Sequence, residues 1–321
     1  MSMHAYLEFE RPIAEVEGKI VELKKLAEED PAMQIDAEVN RLQTKADTLI
    51  RDTYSKLSAW QKVQVARHPG RPHFSDYAKS LFDEFTPLAG DRTFGDDHAI
   101  VAGLGRFRGR SVAILGHEKG NDTKSRLKHN FGMAMPEGYR KSERLFQMAD
   151  RFGLPVISLV DTSGAYSGVA AEERGQSEAI ARSTQAGLDL RVPFVSTIIG
   201  EGGSGGALAI ATANRVLMLE HSVYSVISPE GCASILWRKP EKMQDAAIAM
   251  RVSAQDCLAL RVIDTIIPEP VGGAHRAPEE AILNVGEQIA RALAEMERIP
   301  GEQLRRERRE KYLAMGRDLM V

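Results

Sequence analysis

The first sixty residues carry apolar side chains at the three- and four-residue spacing of amphipathic helices. The apolar positions form two groups on either side of the Asp30-Pro31 pair: Ile13, Val16, Ile20, Leu23 and Leu26 before it, and Val39, Leu42, Ala46 and Leu49 after it. This pattern predicts a helical hairpin over residues 1–60. Because its apolar stripe is narrow and its other faces are charged, we expect the hairpin to pack on the main body or on another subunit.

The middle of the chain changes to short β-rich runs that alternate with helical stretches. Runs beginning at Ser111, Pro155, Pro193 and Arg215 are apolar almost throughout, as in strands buried on both faces. A helical stretch separates the second run from the third, which is the pattern of a right-handed parallel crossover. The sequence therefore predicts an α/β layer fold. Charged amphipathic helix from Pro278 to Met320 is expected to cover the core or a partner surface.

Composition agrees with a globular protein of a reducing compartment. Of the 321 residues, 43% are hydrophobic and 27% charged, which is enough apolar material for a large core. A net charge of -3 and an isoelectric point near 6.3 provide no global basic field for binding nucleic acid. The two cysteines, Cys232 and Cys257, are too few for a disulfide framework and wrongly spaced for a zinc site. Without a signal-peptide pattern or a membrane-length apolar run, we expect a cytoplasmic protein with no membrane role.

A glycine run, GEGGSGGALAIATANR from Gly200, lies between a buried strand and a short helix and allows three interpretations. In the first, Gly200, Gly202 and Gly205 match the G-x-G-x-x-G of dinucleotide-binding folds, with Glu220 as the ribose-binding acid. That match is weak, because the following helix is short for such a fold and the motif lies deep in the chain.

The second interpretation is a nucleophile elbow, G-x-S-x-G, centred on Ser204. It requires an acid and a histidine downstream, and the candidates Asp264 and His275 do not follow clear strands. In the third, glycines at a helix N-terminus expose backbone N–H groups to a ligand and form an oxyanion site without a side-chain nucleophile. A glycine turn with only a packing role is equally compatible, so the residues alone leave the choice open.

A second loop, DTSGAYSG from Asp161, follows the strand that begins near Pro155. Its first four letters match the aspartic protease signature, but the motif occurs once and joins a buried strand to a helix, whereas those enzymes pair two carboxylates on β-rich lobes. Two glycine-bearing loops at the carboxyl ends of neighbouring parallel strands would instead line a single crevice.

The segment GHEKGNDTKSRLKHNFGMAMPEGYRK, which follows the first of the β-rich runs and extends into the next helix, is rich in basic residues: Lys119, Lys124, Arg126, Lys128, Arg140 and Lys141. Such a patch could attract phosphate or carboxylate, but for most of these side chains individually we expect a solvated surface. His117 and His129 lack metal-ligand spacing, so we interpret both as structural or hydrogen-bonding residues.

Longer strings carry a more specific signal. They are LSAWQKVQVARHPGRP, FDEFTPLAGDR, NFGMAMPEGYRK, VAAEERGQSEAIAR, GEGGSGGALAI, YSVISPEGCASILW and IIPEPVGGAH. In these strings the chain resembles the carboxyltransferase alpha subunits of bacterial and plastid-type acetyl-CoA carboxylase. The likeness runs from the N-terminal helices to about Ala277, which is far more of the chain than any three-residue motif covers.

The resemblance implies a crotonase-like fold, a ββα superhelix related to ClpP protease and enoyl-CoA hydratase, with added N-terminal and C-terminal helices. It divides the chain into a hairpin (1–60), a carboxyltransferase domain (61–298) and a helical tail (299–321). It also implies an α2β2 tetramer whose beta subunit supplies a zinc ribbon and most acyl-CoA contacts. A biotin carboxyl carrier protein and an ATP-using biotin carboxylase complete the implied assembly. No metal, membrane or nucleic acid is implied for this chain.

The implied activity is transfer of a carboxyl group from carboxybiotin to acetyl-CoA, giving malonyl-CoA for fatty-acid synthesis. Carboxybiotin brings the base, so the protein has mainly to stabilise developing negative charge on oxygen, a task that suits backbone N–H groups. By motif, the resemblance assigns the biotin oxyanion site to the backbone of Gly205, Gly206 and Ala207. The implied substrate-binding residues are Gly164, Ala165, Tyr166, Gly202, Gly203 and Ser204.

The chain departs from the family in the loop that usually reads D-T-P-G-A-Y-P-G, because Ser163 and Ser167 replace both prolines. Proline restricts φ and lacks an N–H, so we expect this loop to be less rigid or differently bonded. Two other functions remain open: a crotonase-like or serine hydrolase that uses Ser204, and a noncatalytic scaffold of the complex.

Overall fold

The computed structural model describes residues 5–30 and 33–317. Its strands are β1 (Asp83–Pro87), β2 (Ile100–Phe107), β3 (Arg110–His117), β4 (Val156–Thr162), β5 (Phe194–Gly203), β6 (Arg215–Leu219), β7 (Val223–Ser225) and β8 (Thr265–Ile267). Its α-helices are α1 (Arg11–Glu29), α2 (Asp36–Tyr54), α3 (Ala59–Ala66), α4 (Phe74–Leu81), α5 (Thr123–Lys128), α6 (Pro136–Phe152), α7 (Val169–Glu172), α8 (Gln176–Asp189), α9 (Ser204–Leu208), α10 (Pro229–Trp237), α11 (Met243–Ala249), α12 (Ala254–Ala259), α13 (Pro278–Met296) and α14 (Gly301–Ala314). Pro31 and Met320, which helped to define the predicted helices, lie outside the described residues.

One sheet organises the main body, in the order β1-β2-β3-β4-β5-β6-β8, with β7 paired to the end of β5. The first three strands are antiparallel, and β3, β4, β5, β6 and β8 run parallel. The predicted crossover from β4 to β5 is confirmed, because the two strands are adjacent and parallel with α8 between them. The predicted α/β fold is therefore confirmed.

The central strands are buried on both faces, and their side chains alternate between two cores. In β4, Val160 contacts the core beneath α6 and α8, whereas Leu159 contacts the core beneath α4 and α13. In β5, Ile198 and Ile199 divide in the same way. Helices on both faces of a mostly parallel sheet explain why these strands are apolar at nearly every position.

The N-terminal hairpin is confirmed as α1 and α2, whose facing side chains include Val16, Ile20, Leu42 and Ala46. Its base contacts the main body, where Ile13 packs with Val65 of α3 and Glu17 Oε1 lies 2.9 Å from Arg276 Nη1. At the far end Leu26 is half exposed. The expectation that the hairpin packs on the main body is thus met at one end of it.

Several elements were not predicted. Strand β1 lies in a segment to which no element was assigned from the sequence, and β7 and β8 are too short for a periodic signal. The C-terminal helices do cover the core: Leu293 of α13 and Leu304 of α14 belong to the same buried cluster. The division at residues 60 and 298 stays a prediction. None of the helices in the described ranges is long and apolar enough to cross a membrane.

Candidate functional site

Two loops meet at the carboxyl edge of the parallel strands. Loop 163–168 follows β4, and the glycine turn, residues 202–207, ends β5 and begins α9. In the sheet Thr162 pairs with Gly202, which brings the two segments side by side. The structure thus brings together all of the site residues predicted from the family motifs, at the edge where open α/β sheets bind ligands.

The two segments touch through their backbones, which explains two of the glycines. A side chain on Gly203 would overlap the carbonyl of Ser163. A Cβ on Gly206 would lie 2.6 Å from the amide nitrogen of Ala165 and 3.0 Å from the hydroxyl of Tyr139. Glycine is needed here because the neighbouring atoms are mostly backbone and cannot rotate away.

The start of α9 presents backbone donors beside loop 163–168. Gly203 is its N-cap residue, and Ser204 holds a left-handed backbone with φ of 53°. An α-helix leaves the N–H groups of its first residues without intrahelical partners, so those of Gly205 and Gly206 are available. Ala207 lies where the hydrogen-bond ladder of the helix begins. The positive end of the helix dipole adds to the field at this point.

Loop 163–168 is fixed by side chains that flank it. The Thr162 hydroxyl donates to the Gly164 carbonyl at 2.8 Å and accepts the Gly164 N–H at 3.1 Å. The amide of Gln176 donates to the carbonyl of Tyr166 at 2.7 Å. Gly164 itself has φ of 149°, a conformation that favours glycine. These bonds are independent of the residues at 163 and 167, so the loop has defined anchors even with serine at both positions.

A buried ion network lies directly behind the two segments. Lys119 Nζ lies 2.7 Å from Asp161 Oδ1 and 3.0 Å from Glu201 Oε2. Glu201 also pairs with Arg67 at 2.6 Å, and His73 Nδ1 is 3.7 Å from Asp161 Oδ2. Burial alone would raise the pKa of Asp161 and of Glu201, but the neighbouring cations hold both below their usual values. Both carboxylates are therefore ionised at neutral pH.

Two cavities flank the site. One, of about 470 Å³, is largely apolar and falls in the size range of small-molecule pockets. Its lining includes Ser204, Gly205, Leu208, Tyr224, Met250, Cys257 and Leu260. The other, of about 320 Å³, is lined mostly by charged residues and histidines, among them Lys119, Asp161 and Glu201. The available N–H groups of the glycine turn are thus next to an apolar space.

The backbone of Ser204 resembles that of a nucleophile elbow, but the side-chain partners of a catalytic triad are not beside it. Ser204 lies between strand and helix with a positive φ, but no histidine within the described residues is hydrogen-bonded to it. Asp264 instead accepts the N–H of Val216 at 2.6 Å and pairs with Lys311. His275 is stacked on the ring of His68, with centroids 3.9 Å apart. Asp264 and His275 therefore form no triad with Ser204.

The dinucleotide-binding interpretation is also wrong in its details. The carboxylate of Glu220 accepts the backbone N–H of Glu269 at 3.2 Å, a structural bond between adjacent chain segments. Helix α9 has five residues, too short for the crossover helix of a Rossmann unit. A Cβ on Gly200 would overlap the carboxylate of Asp161, so this glycine serves the ion network.

The expectation of a solvated basic surface fails for three of its members. The side chains of Lys119 and Arg140 are 16% and 18% exposed, and that of Lys141 is 4% exposed and paired with Asp96 at 2.7 Å. His117 is fully buried, and burial lowers its pKa to about 3. His129 is hydrogen-bonded to the carbonyl of His98 at 2.6 Å, as predicted.

The roles of Lys119 and Glu201 in the ion network were missed. The sequence feature that could have indicated the network is a charged residue at the end of an otherwise apolar strand run, as in GHEK and IIGEGG. A charge at the end of a buried strand needs a partner, but the sequence does not say which one. Asp161 was identified only as the start of its loop.

Comparison with known proteins finds relatives that match nearly the whole length of the chain. The profile of a family described as "Acetyl co-enzyme A carboxylase carboxyltransferase-like" matches residues 6–316. A protein of Agrobacterium fabrum named acetyl-coenzyme A carboxylase carboxyl transferase subunit alpha is 64% identical over 317 residues, covering 99% of this chain and 100% of that protein. A Rhizobium etli protein of the same name is 66% identical with the same coverage.

Solved structures resemble this chain in fold. A transcarboxylase 12S structure aligns with a TM-score of 0.57 at 21% identity, covering 70% of this chain and 41% of the other. A Pseudomonas malonate decarboxylase hetero-tetramer aligns with a TM-score of 0.57 at 17% identity, covering 71% and 89%. At these identities the likeness concerns the fold, and the chain spans less than half of the transcarboxylase chain.

Proposed function

Because this chain belongs to the acetyl-CoA carboxylase carboxyltransferase family, we propose that it is the alpha subunit that transfers the carboxyl group of carboxybiotin to acetyl-CoA, giving malonyl-CoA for fatty-acid synthesis. The observation that carries the proposal is identity of 64% and 66% to named alpha subunits over 99% of the chain. The alternative of a hydrolase that uses Ser204 lacks support, since Asp264 and His275 are bonded elsewhere.

The glycine turn supplies the proposed catalytic groups. When bound, carboxybiotin supplies both the carboxyl group and the base for the acetyl methyl group. The N–H groups of Gly205 and Gly206, with Ala207 behind them, would face the oxygen on which negative charge develops. Donors of this kind contribute about 3 to 4 kcal/mol each to transition-state stabilisation. The apolar cavity beside Gly205 supports this assignment, because exclusion of water strengthens such bonds.

The facing segment supplies the proposed substrate contacts. Gly164, Ala165 and Tyr166 would form one wall of the site, and Gly202, Gly203 and Ser204 the other. The backbone contact between Gly206 and Ala165 supports this assignment, because it sets the width of the crevice. Precise spacing matters, since misplacement by about 1 Å can cost about 100-fold in rate.

A partner subunit is part of the proposal. Helices α10 and α11 expose large apolar side chains: Ile235, Leu236 and Ile248, each more than half exposed. Large apolar side chains exposed on two neighbouring helices are typical of protein interfaces. We assign it to the zinc-containing beta subunit of an α2β2 tetramer, with the biotin on a separate carrier protein and ATP used by a biotin carboxylase. Two free cysteines agree with the proposed cytoplasmic location.

The test is the reverse reaction, malonyl-CoA-dependent carboxylation of biocytin followed as release of acetyl-CoA. It is run with this chain alone, with the beta subunit of the same organism, and with a Ser204→Ala variant in the complex. We expect activity only in the two-subunit mixture and expect it to survive the serine substitution. Loss of activity in Ser204→Ala would favour the hydrolase-like alternative, and an inactive, verified α2β2 complex would contradict the proposal.

A further inference from the structure

Lys119 occupies a special position relative to the two segments of the site. It follows β3 by two residues and is largely buried, although the segment around it is basic and mostly exposed. Its ammonium contacts the carboxylates of Asp161 and Glu201 at 2.7 and 3.0 Å. Within the described ranges, Lys119 is the side chain that contacts both carboxylates, whereas of the two Arg67 pairs only with Glu201 and the ring of His73 lies near Asp161 alone.

Each of these carboxylates belongs to a residue at the start of one of the two segments. Asp161 is the residue before Thr162, whose hydroxyl fixes the loop 163–168, and Glu201 immediately precedes the glycine turn. A third bond closes the bridge, since Asp161 Oδ1 accepts the backbone N–H of Glu201 at 2.9 Å. The absence of a side chain on Gly200 allows the Asp161 carboxylate to lie against β5. Any movement of one segment relative to the other must therefore disturb the contacts of Lys119.

The bridge needs a cation. Two ionised carboxylates this close repel each other, and burial makes the repulsion stronger than it would be in water. Asp161 would keep only His73 and the N–H of Glu201 if the ammonium were removed, and Glu201 would keep Arg67. The two carboxylates would then move apart, or one of them would take up a proton. Because the backbones of Gly206 and Ala165 are already in close contact, a shift of loop 163–168 relative to the glycine turn would change the geometry of the site.

We propose that Lys119 is a positioning residue, which sets the distance between loop 163–168 and the glycine turn by bridging Asp161 and Glu201. The inference rests on the proposed function, because the spacing affects turnover only if the two segments hold the reacting groups. Lys119 acts through the two carboxylates and is assigned no contact with substrate. Its role is distinct from that of the exposed lysines on α5.

The kinetic test compares Lys119→Met with wild type in the α2β2 complex, using the reverse reaction. We expect kcat to fall by about 10- to 100-fold, as for a misplaced donor, while KM for malonyl-CoA changes by less than about twofold. Lys119→Arg, which keeps the charge and can reach two carboxylates, should recover most of the lost turnover. Lys124→Met is the matched control, because Lys124 is an exposed lysine of the same segment and should leave kcat unchanged.

A double variant separates positioning from stability. Lys119→Met with Glu201→Gln removes one positive and one negative charge, so it should recover much of the Tm that Lys119→Met loses. If Lys119 positions the segments, kcat stays low in the double variant. Recovery of kcat together with Tm would overturn the proposal, as would wild-type kcat in Lys119→Met.

A third measurement does not depend on activity. Hydrogen–deuterium exchange of the complex reports the peptides that cover residues 163–168 and 202–208. We expect faster exchange in both peptides for Lys119→Met and no change for Lys124→Met. Unchanged exchange in both peptides would overturn the inference. Activity of the wild-type complex is recorded separately, so a failure of the proposed function is recognised by an inactive wild type and not by the behaviour of the variants.

Discussion

The hydroxyl of Thr162 makes two hydrogen bonds to the same residue, because it donates to the carbonyl of Gly164 and accepts its N–H. Both bonds are buried. They close a small ring at the start of loop 163–168, immediately before the point where Gly164 takes its positive φ. The conformation of the loop is therefore specified by the threonine before it.

We expect Thr162→Val to lower the free energy of unfolding by about 1 to 3 kcal/mol, because two buried backbone groups lose their partner. Turnover in the complex should fall as well, since loop 163–168 loses an anchor. The matched control is Thr197→Val on the neighbouring strand, where the hydroxyl is buried and has no partner within the described chain. Thermal unfolding and the biocytin assay provide the measurements. Equal effects of the two substitutions would contradict the role of Thr162.

The two glycines at the start of α9 differ in their tolerance of a methyl group. A Cβ on Gly205 would meet only the side chain of Ile180, at 3.4 Å, whereas one on Gly206 would meet the backbone of Ala165 at 2.6 Å. We expect Gly205→Ala to keep most of the turnover, because the alanine retains the N–H.

Gly206→Ala should lower kcat by at least about 10-fold by forcing the two segments apart. The measurement is the biocytin assay on complexes whose assembly has been verified by size. Full turnover of Gly206→Ala in an intact complex would contradict the proposed oxyanion site and would favour a noncatalytic scaffold.

The buried pair of Arg71 and Glu269 predicts a pH dependence of stability. Burial alone would raise the pKa of Glu269, but Arg71 lowers it to about 2 from its usual 4.5. Because the folded pKa is the lower one, the stabilisation is present above about pH 4.5 and is lost as the pH falls towards 2. The contribution at neutral pH is on the order of 3 kcal/mol.

Urea unfolding at several pH values between about 3 and 7 tests the contribution of this pair to stability. A Glu269→Gln variant should be less stable than wild type at pH 7 and should lose less stability on acidification. The pairing of Asp161 with Lys119 contributes in the same direction in both proteins, so only the difference between them is informative. Parallel curves for the two proteins would show that Glu269 is not the responsible group.

The two cysteines should differ in reactivity. Cys257 is 3% exposed, and burial raises the pKa of its thiol to about 12, so little thiolate is present at pH 8. Cys232 is partly exposed. We expect iodoacetamide to label Cys232 first in the folded chain and Cys257 only after unfolding, as read by mass spectrometry. A Cys232→Ser variant should remain unlabelled when native, and rapid native labelling of that variant would contradict the buried position of Cys257.

Local patterns predicted those parts of the fold that depend on near neighbours in the chain. Helical periodicity identified α1 and α2, and continuous apolar runs identified β3, β4, β5 and β6, because burial on one or both faces imposes a period that can be counted. The strands β7 and β8 were missed because three residues do not make a period. Family strings then placed the candidate site on the two glycine-bearing segments.

The glycine turn shows the limit of such patterns. From the sequence, Gly200 to Gly206 fitted a cofactor loop, a nucleophile elbow, an oxyanion site or a simple turn, because each needs small residues before a helix. The tertiary structure decided against two of these by placing Asp264 beside Lys311, His275 against His68 and Glu220 on the backbone of Glu269. Those partners lie far away in sequence, so no local pattern could reveal them.

By itself the sequence determined the α/β class, the hairpin, the family and the two segments that we propose as the site. Only the tertiary structure decided that Lys119 is buried between Asp161 and Glu201 and that Gly206 touches the backbone of Ala165. The physical reason is that burial and ion pairing depend on which strands become neighbours. A lysine in a basic, polar stretch is predicted to be solvated. Its burial became apparent only because pairing of β4 with β5 places two carboxylates next to it.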